Sequence, residues 1–230
     1  MQRPKVDVSG LLSRLALFAE IDPSHLAAIV EHTTEHKLDK GEMLFHKGDP
    51  ARGFYVVVYG QIKLAFPSMH GNEKVVAIVG SQDSFGEAGM FMERTFPVFA
   101  EALTDTLVLH ISKGPMLELI EREPMFARRM LAGLSMRLRQ LIQDVEAYSL
   151  QSSSQRLIGY LLQLVTDPEQ TSGRAEIDLP TTKHVIASRL NLTPETFSRI
   201  LADLSHRRLI EVQGKHIVLN DLQKLAQYGA

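Results

Sequence analysis

The sequence predicts an α+β chain with three parts: an N-terminal β-roll, a long helix and a C-terminal winged helix-turn-helix. Three observations carry this expectation. Between Glu35 and Ser112, short apolar runs rich in branched and aromatic residues alternate with turn residues. From Pro115 to Tyr148, apolar residues recur in helical steps of three and four. From Thr181 to Leu204, residue types match position by position what two helices joined by a tight turn require. The expected boundaries are residues 1–114 for a sensor domain, 115–150 for a dimerisation helix and 151–230 for a DNA-binding domain.

The chain opens on two small amphipathic helices, marked by Leu11, Leu12, Leu15, Leu17 and Phe18, then by Leu26, Ile29 and Val30. Asp22 or Ser24 can cap the second, with Pro23 in its first turn. Strands are expected at Met43–Phe45, Phe54–Tyr59, Gln61–Phe66, Val75–Val79 and Thr106–Ile111. Turn chemistry at Lys40-Gly41, Lys47 to Pro50, Tyr59-Gly60 and His70 to Asn72 separates them. About eight strands at this spacing favour an antiparallel barrel or jelly roll.

Leu131, Leu134, Leu138, Leu141, Val145 and Tyr148 form an a/d seam flanked by Arg137, Arg139, Gln140, Gln143, Asp144 and Glu146. So narrow an apolar stripe needs a partner, and a parallel two-helix contact in a homodimer is the expected one. Packing on its own barrel is the competing reading. Ser149 to Ser154 reads as a polar hinge. A helix from about Gln155 to Thr166 and a polar loop from Asp167 to Arg174 follow.

The helix-turn-helix is read from Lys183. A small residue is needed where the helices approach, and Ala187 stands there; Ile186, Leu190, Leu192, Phe197 and Ile200 fill the apolar positions. Asn191 occupies the turn position that must tolerate a left-handed backbone. Thr193 can cap the second helix, with Pro194 at its first position and Thr196 behind it. Glu195, Ser198 and Arg199 then project together near the helix N-terminus, the end of a recognition helix that meets base edges. Arg199 suits guanine, Glu195 suits cytosine, and Ser198 can contact either a base or a thymine methyl. An intrahelical Glu195–Arg199 ion pair on a solvated face is the competing reading. Residues Arg208–Val212 and Ile217–Leu219 around Gln213–His216 read as a hairpin wing, from which Lys215 can reach phosphate.

Charge agrees. Although the whole chain carries −2, the span from Lys183 to His216 holds six Lys or Arg against three acids. A locally basic module on an acidic body fits double-stranded DNA as partner, with Lys183 and Lys215 as phosphate contacts. Zero cysteines exclude disulfides, thiolate zinc sites and cysteine-ligated iron–sulfur clusters. No apolar run approaches the roughly 20 residues of a membrane span, and MQRPKVDVSG is not followed by a secretory h-region. The expectation is therefore a cytoplasmic protein with no membrane association. Glu87, Asp83 and His110 form no recognised spacing for nucleophile, base or metal, so no enzyme is expected. A winged helix that binds a protein rather than DNA is the other class to weigh, and the basic recognition surface argues against it.

This order of parts resembles the CRP/FNR family of bacterial transcription regulators over almost the whole chain. Gly41, Gly48-Asp49, Tyr55 and Gly60 match the family's cyclic-nucleotide-binding-like β-roll, and Phe85 to Phe91 resembles its phosphate-binding cassette. Glu195, Ser198 and Arg199 match the Glu-x-x-Ser-Arg triplet of the FNR branch. That resemblance implies a palindromic site of the TTGAT-N4-ATCAA type, with RNA polymerase as a further partner. Where the cyclic-AMP cassette ends in an Arg-Ser pair, this chain has Thr95-Phe96-Pro97-Val98-Phe99. No guanidinium remains to clasp a cyclic phosphate, so cyclic AMP is not expected.

Phe85 to Met92 and Pro194 to Ile200 are most similar to the dissimilatory nitrate respiration regulators, and the resemblance implies control by nitric oxide through haem. An effector pocket is then expected between barrel and dimer helix, from Phe85, Gly86, Glu87, Met90, Phe91, Met92, Phe96, Val98 and Phe99. Met130 or Leu134 would stand opposite. Barrel core is the competing reading of the same cluster. Axial-ligand candidates are His110, His184, His32 and His36, the last two as an i,i+4 pair if helical; the sequence does not choose among them. A regulator of the same fold answering another small molecule, or none, is the alternative.

Overall fold

The structure is a computed structural model that describes residues 7–15, 18, 21–67, 73–165 and 172–229. The chain divides into two compact units, Met1–Arg139 and Gln140–Ala230. Leu17, the turn at residues 70–72 and residues 166–171 lie outside the described residues.

The first unit begins with α1 (Val8–Leu12) and α2 (Pro23–Glu31), the latter capped by the Asp22 carboxylate with Pro23 at its start. Then come β1 (Thr33–Leu38), β2 (Met43–Phe45), β3 (Gly53–Tyr59), β4 (Ile62–Pro67), β5 (Glu73–Val79) and β6 (Ser84–Phe85). They are followed by α3 (Glu87–Phe91), β7 (Phe99–Ala102), β8 (Thr106–Ser112), α4 (Lys113–Arg122) and α5 (Pro124–Leu150). The strands form two antiparallel sheets, ordered β1-β8-β3-β6 and β2-β7-β4-β5.

Strands β3 and β8 explain why their sequences are apolar almost throughout. Their two faces are both covered. Val57 and Val108 point between the sheets, where they meet Leu38, Phe45, Ile62, Phe85, Phe96 and Ala100. Phe54, Val56, Leu109 and Ile111 point the other way, onto Phe18 and onto Leu12, Ile29, Met116, Leu119 and Phe126 of the helices. A period-2 strand sandwiched in this manner has no solvent face to mark with polar residues. Near the sheet edge Lys63 is buried between Glu73 at 2.7 Å and Glu101 at 3.0 Å.

The second unit comprises the end of α5, α6 (Ser153–Gln163), β9 (Ala175–Asp178), α7 (Lys183–Arg189) and α8 (Pro194–His206), then β10 (Ile210–Gln213), β11 (His216–Leu219) and α9 (Leu222–Gly229). The expected wing is the β10–β11 hairpin, in which Gln213 pairs with His216 across a two-residue turn and Gly214 takes φ +65°. Strand β9 adds a third strand by pairing with β11. Its four residues are too short to stand out in the sequence.

Two expectations are corrected here. His32 and His36 are not a helical pair, because His32 caps α2 and His36 lies in β1. Helix α6 begins at Ser153, before the expected Gln155. No helix among the described residues is long and apolar enough to cross a membrane.

Candidate nucleic-acid interface

Helices α7 and α8 stand as the residue pattern requires. Thr182 caps α7 by accepting from the Val185 amide at 3.4 Å. Thr193 caps α8 by accepting from the Thr196 amide at 3.1 Å, with Pro194 at the first helical position. Between them Asn191 has φ +57°, the left-handed turn that its short amide side chain tolerates. Ile186, Ala187, Phe197 and Leu204 are fully buried, and Leu192, Ile200 and Leu201 nearly so. They join Leu157, Leu161, Ile177, Ile210, Ile217 and Leu225 in one core. Phe197 is its largest fully buried side chain. Phe197→Ala is expected to destabilise this unit by about 3–5 kcal/mol, read as a lowered thermal midpoint in circular dichroism.

With the apolar face of α8 held inward, Glu195, Ser198, Arg199 and Ala202 are exposed. Glu195 sits in the first turn. Hydrogen bonds from its own backbone amide and from the Thr193 hydroxyl hold its carboxyl below the usual carboxylate range. It is therefore a charged acceptor at neutral pH, suited to an exocyclic amine. Thr196 is half-buried behind the cap, Lys183 is half-buried at the start of α7, and Lys215 is exposed in the wing turn.

The expected dimer seam is an uncovered apolar face. Leu131, Leu138, Leu141 and Val145 are 53–64% exposed and Leu134 half-exposed. Met136 and Ile142 widen the stripe. Tyr148 departs from the seam. Its hydroxyl donates to the Arg189 carbonyl and accepts from the Arg189 guanidinium at 2.8 Å, and its ring is partly buried.

The expected effector pocket is not assembled. Met90 and Met130 are buried with Phe54 and Phe126 under the helices, and Phe91 packs against that cluster. Phe85 and Phe96 belong to the separate core between the sheets, with Val98 packed against it. There Phe96 stacks on Phe45 with ring centroids 3.8 Å apart, and Tyr55 stacks on Phe85 at 5.3 Å. Phe99 lies beneath the Lys63 ammonium at 5.3 Å, and Met92 is 59% exposed. Glu87 is buried at the start of α3, and Gly86 caps that helix at φ +93°, where a Cβ would press on Phe96 at 3.2 Å. Tight packing has no room for a macrocycle unless these side chains move apart.

The histidines fare no better as axial ligands to such a group. His32 is exposed at a helix end, and His184 is exposed on α7 of the other unit. His36 and His110 stand edge to face, 6.1 Å between centroids, with Tyr55 4.9 Å from His110. The residues present therefore do not fit haem, and no group of three His, Asp or Glu among the described residues could hold a metal.

Burial, and then the neighbouring His36, lower the His110 pKa from 6.5. The folded state thus prefers neutral His110. That stabilisation is complete above about pH 6.5 and is lost as pH falls from there through the lowered folded value. The thermal midpoint of the first unit is expected to drop between pH 7.5 and 5.5, and His110→Gln to flatten that slope; equal slopes for both proteins would refute the assignment.

Comparison with known proteins agrees with this architecture. Residues 35–123 match the cyclic nucleotide-binding domain model and residues 155–228 the Crp-like helix-turn-helix domain model. The chain is 30% identical over 219 residues to the global nitrogen regulator of Synechococcus elongatus, covering 94% of this chain and 96% of that protein. Among solved structures, FixK2 of Bradyrhizobium japonicum is similar with a TM-score of 0.74 and 25% identity, covering 86% of this chain and 98% of that one. DNR of Pseudomonas aeruginosa is 29% identical over the full length of both chains, with a TM-score of 0.52. With the β-roll, the capped recognition helix and the wing in place, the chain belongs to the CRP/FNR family of DNA-binding transcription regulators.

Proposed function

We propose that the chain acts as a homodimer that reads an FNR-type palindrome, TTGAT-N4-ATCAA or close to it. The outward trio Glu195, Ser198 and Arg199 on a capped helix carries the reading. Arg199 forks onto guanine O6 and N7, Glu195 accepts from cytosine N4, and Ser198 contacts an adjacent base. Lys183 and Lys215 hold the phosphates on either side. The seam from Leu131 to Val145 pairs two copies, which puts two recognition helices on successive major grooves, roughly one DNA turn apart. Similarity to DNR and the Pro194–Ile200 stretch support a place in the nitrate respiration branch.

Input comes from a small molecule or gas acting on the β-roll unit, and output passes to RNA polymerase in the cytoplasm. The haem route is not carried forward, because its expected lining is committed to two separate cores. No catalytic role is assigned. Fluorescence-anisotropy titration of the wild-type protein tests the reading: the palindrome should bind at least 10³-fold more tightly than scrambled DNA at physiological salt, with a steep salt dependence. Equal affinity for both duplexes would sink it.

A further inference from the structure

Within the second unit, the end of α5 is tied to the helix-turn-helix by two arginines that no sequence motif singled out. Arg189, the last residue of α7, reaches Asp144 of α5 at 2.6 Å, and both side chains are about four-fifths buried. The same guanidinium donates to the Tyr148 hydroxyl at 2.8 Å, and that hydroxyl donates to the Arg189 carbonyl. Arg156 of α6 spans the other side of the junction. Its Nε donates to the Leu190 carbonyl at 3.0 Å, one Nη to the Gln151 carbonyl at 2.7 Å, and the other to the Asn191 carbonyl at 3.4 Å.

These bonds fall on carbonyls at the ends of α5 and α7, groups that a helix cannot satisfy internally. The connection itself is also fastened. Ser152 and Gln155 form a reciprocal capping box, and the Gln151 amide bonds to the Ala147 carbonyl. The arginines border a groove of about 500 Å³ that Asp144, Tyr148 and Tyr160 also line. Burial pushes the Tyr160 hydroxyl up to about 12, so it stays a neutral donor. Polar composition made residues 149–154 look like a hinge, yet the Ser152 side chain caps α6 and the Ser153 hydroxyl accepts from the Arg156 guanidinium at 3.5 Å.

We propose that Asp144, Tyr148, Arg156 and Arg189 form a latch that makes residues 140–150 of α5 one rigid body with the helix-turn-helix. Half-site spacing is then set by the dimer helix itself, and Arg189 is a positioning residue for DNA recognition. Any give lies upstream, where α5 carries Gly133, and where Ser135 bonds back to the Leu131 carbonyl, a bond that tends to bend helices. This inference rests on the dimeric-palindrome reading for its effect on DNA, though not for the rigidity of the junction.

Two measurements on the full-length protein test it. Amide hydrogen exchange over residues 149–155 should be slow in the wild type and faster by at least tenfold in Arg189→Met. Fast exchange in the wild type, or none gained in the variant, would overturn the latch. In DNA titrations, Arg189→Met should lose about tenfold on the N4 palindrome and keep its affinity for a lone half-site. It should also discriminate less between N4 and N6 spacings, and Arg189→Lys, which retains the charge opposite Asp144, should recover most of the loss. A parallel fall on lone half-site and palindrome would make Arg189 a folding residue and defeat the proposal. A wild-type protein that does not prefer palindrome to half-site would instead defeat the dimeric reading, leaving the latch to be decided by the exchange rates.

Discussion

Arg199→Ala is expected to weaken binding to the TTGAT-N4-ATCAA palindrome by about 1–3 kcal/mol per site, roughly 5- to 150-fold, and to relax the requirement for guanine at one position of each half-site. Arg199 is exposed on α8 and contributes nothing to the core that holds the helix. The substitution should therefore leave the thermal midpoint within about 0.5 kcal/mol of the wild type in stability. That separation matters. A loss of affinity without a loss of stability assigns the side chain to the DNA, whereas a loss of both would point to a helix that no longer folds. Arg199→Lys should recover phosphate-type attraction but not the bidentate fork, so its residual affinity should be less dependent on sequence. Competition titrations against duplexes altered at single base pairs would show this. If Arg199→Ala bound the intact palindrome as tightly as the wild type, the assignment of the reading residue would be wrong.

The second large effect is expected at the seam. Leu138 is 60% exposed and Leu141 53% exposed on a helix whose flanking positions are polar. Burying such a leucine is worth about 1.5–3 kcal/mol, and two-fold symmetry places the same residue on both copies. Leu138→Asp should therefore weaken self-association by about 3–6 kcal/mol, on the order of 10²- to 10⁴-fold, before the cost of bringing two carboxylates together. Sedimentation velocity at micromolar concentration should report a monomer for the variant and a dimer for the wild type. Affinity for a lone half-site should stay close to that of the wild type, because the recognition helix lies in the other compact unit. A Leu138→Asp protein that remained dimeric would move the interface off α5.

These two results bear on different links of the same chain of causes. The Arg199 series tests how a capped helix turns side-chain chemistry into base recognition. The Leu138 series tests whether symmetry multiplies that recognition, since one recognition helix reads only half of a palindrome.

Much of the fold was legible in the amino acids because its signals are local. Thr193, Pro194 and Asn191 announce a cap, a first turn and a left-handed residue within four positions, and each depends only on its immediate neighbours. The exposed seam of α5 is a one-dimensional period of the same kind, as are the apolar strands of the β-roll. Outward placement of Glu195, Ser198 and Arg199 follows once Phe197, Ile200 and Leu204 are known to face inward. The sequence by itself therefore determined the order of parts, the outward face of α8 and the absence of any thiolate chemistry.

Only the tertiary structure decided the rest, wherever the partners are distant in sequence or where one residue type suits two roles. Methionine and phenylalanine from Phe85 to Phe99 read as the lining of a cavity, yet they fill two different cores, because β3 buries both of its faces. His32 and His36 have helical spacing, but hydrogen bonding of β1 to β8 draws the second into a strand. Tyr148 fits an a/d position, and Arg189, 41 residues away, claims it instead. Polar residues from Ser149 to Ser154 suggested freedom, and in the folded chain Ser152 caps α6 while the Gln151 carbonyl accepts from Arg156. In each case long-range packing and hydrogen bonding settled what local pattern had left open, because burial and partner choice depend on the folded neighbourhood rather than on spacing along the chain.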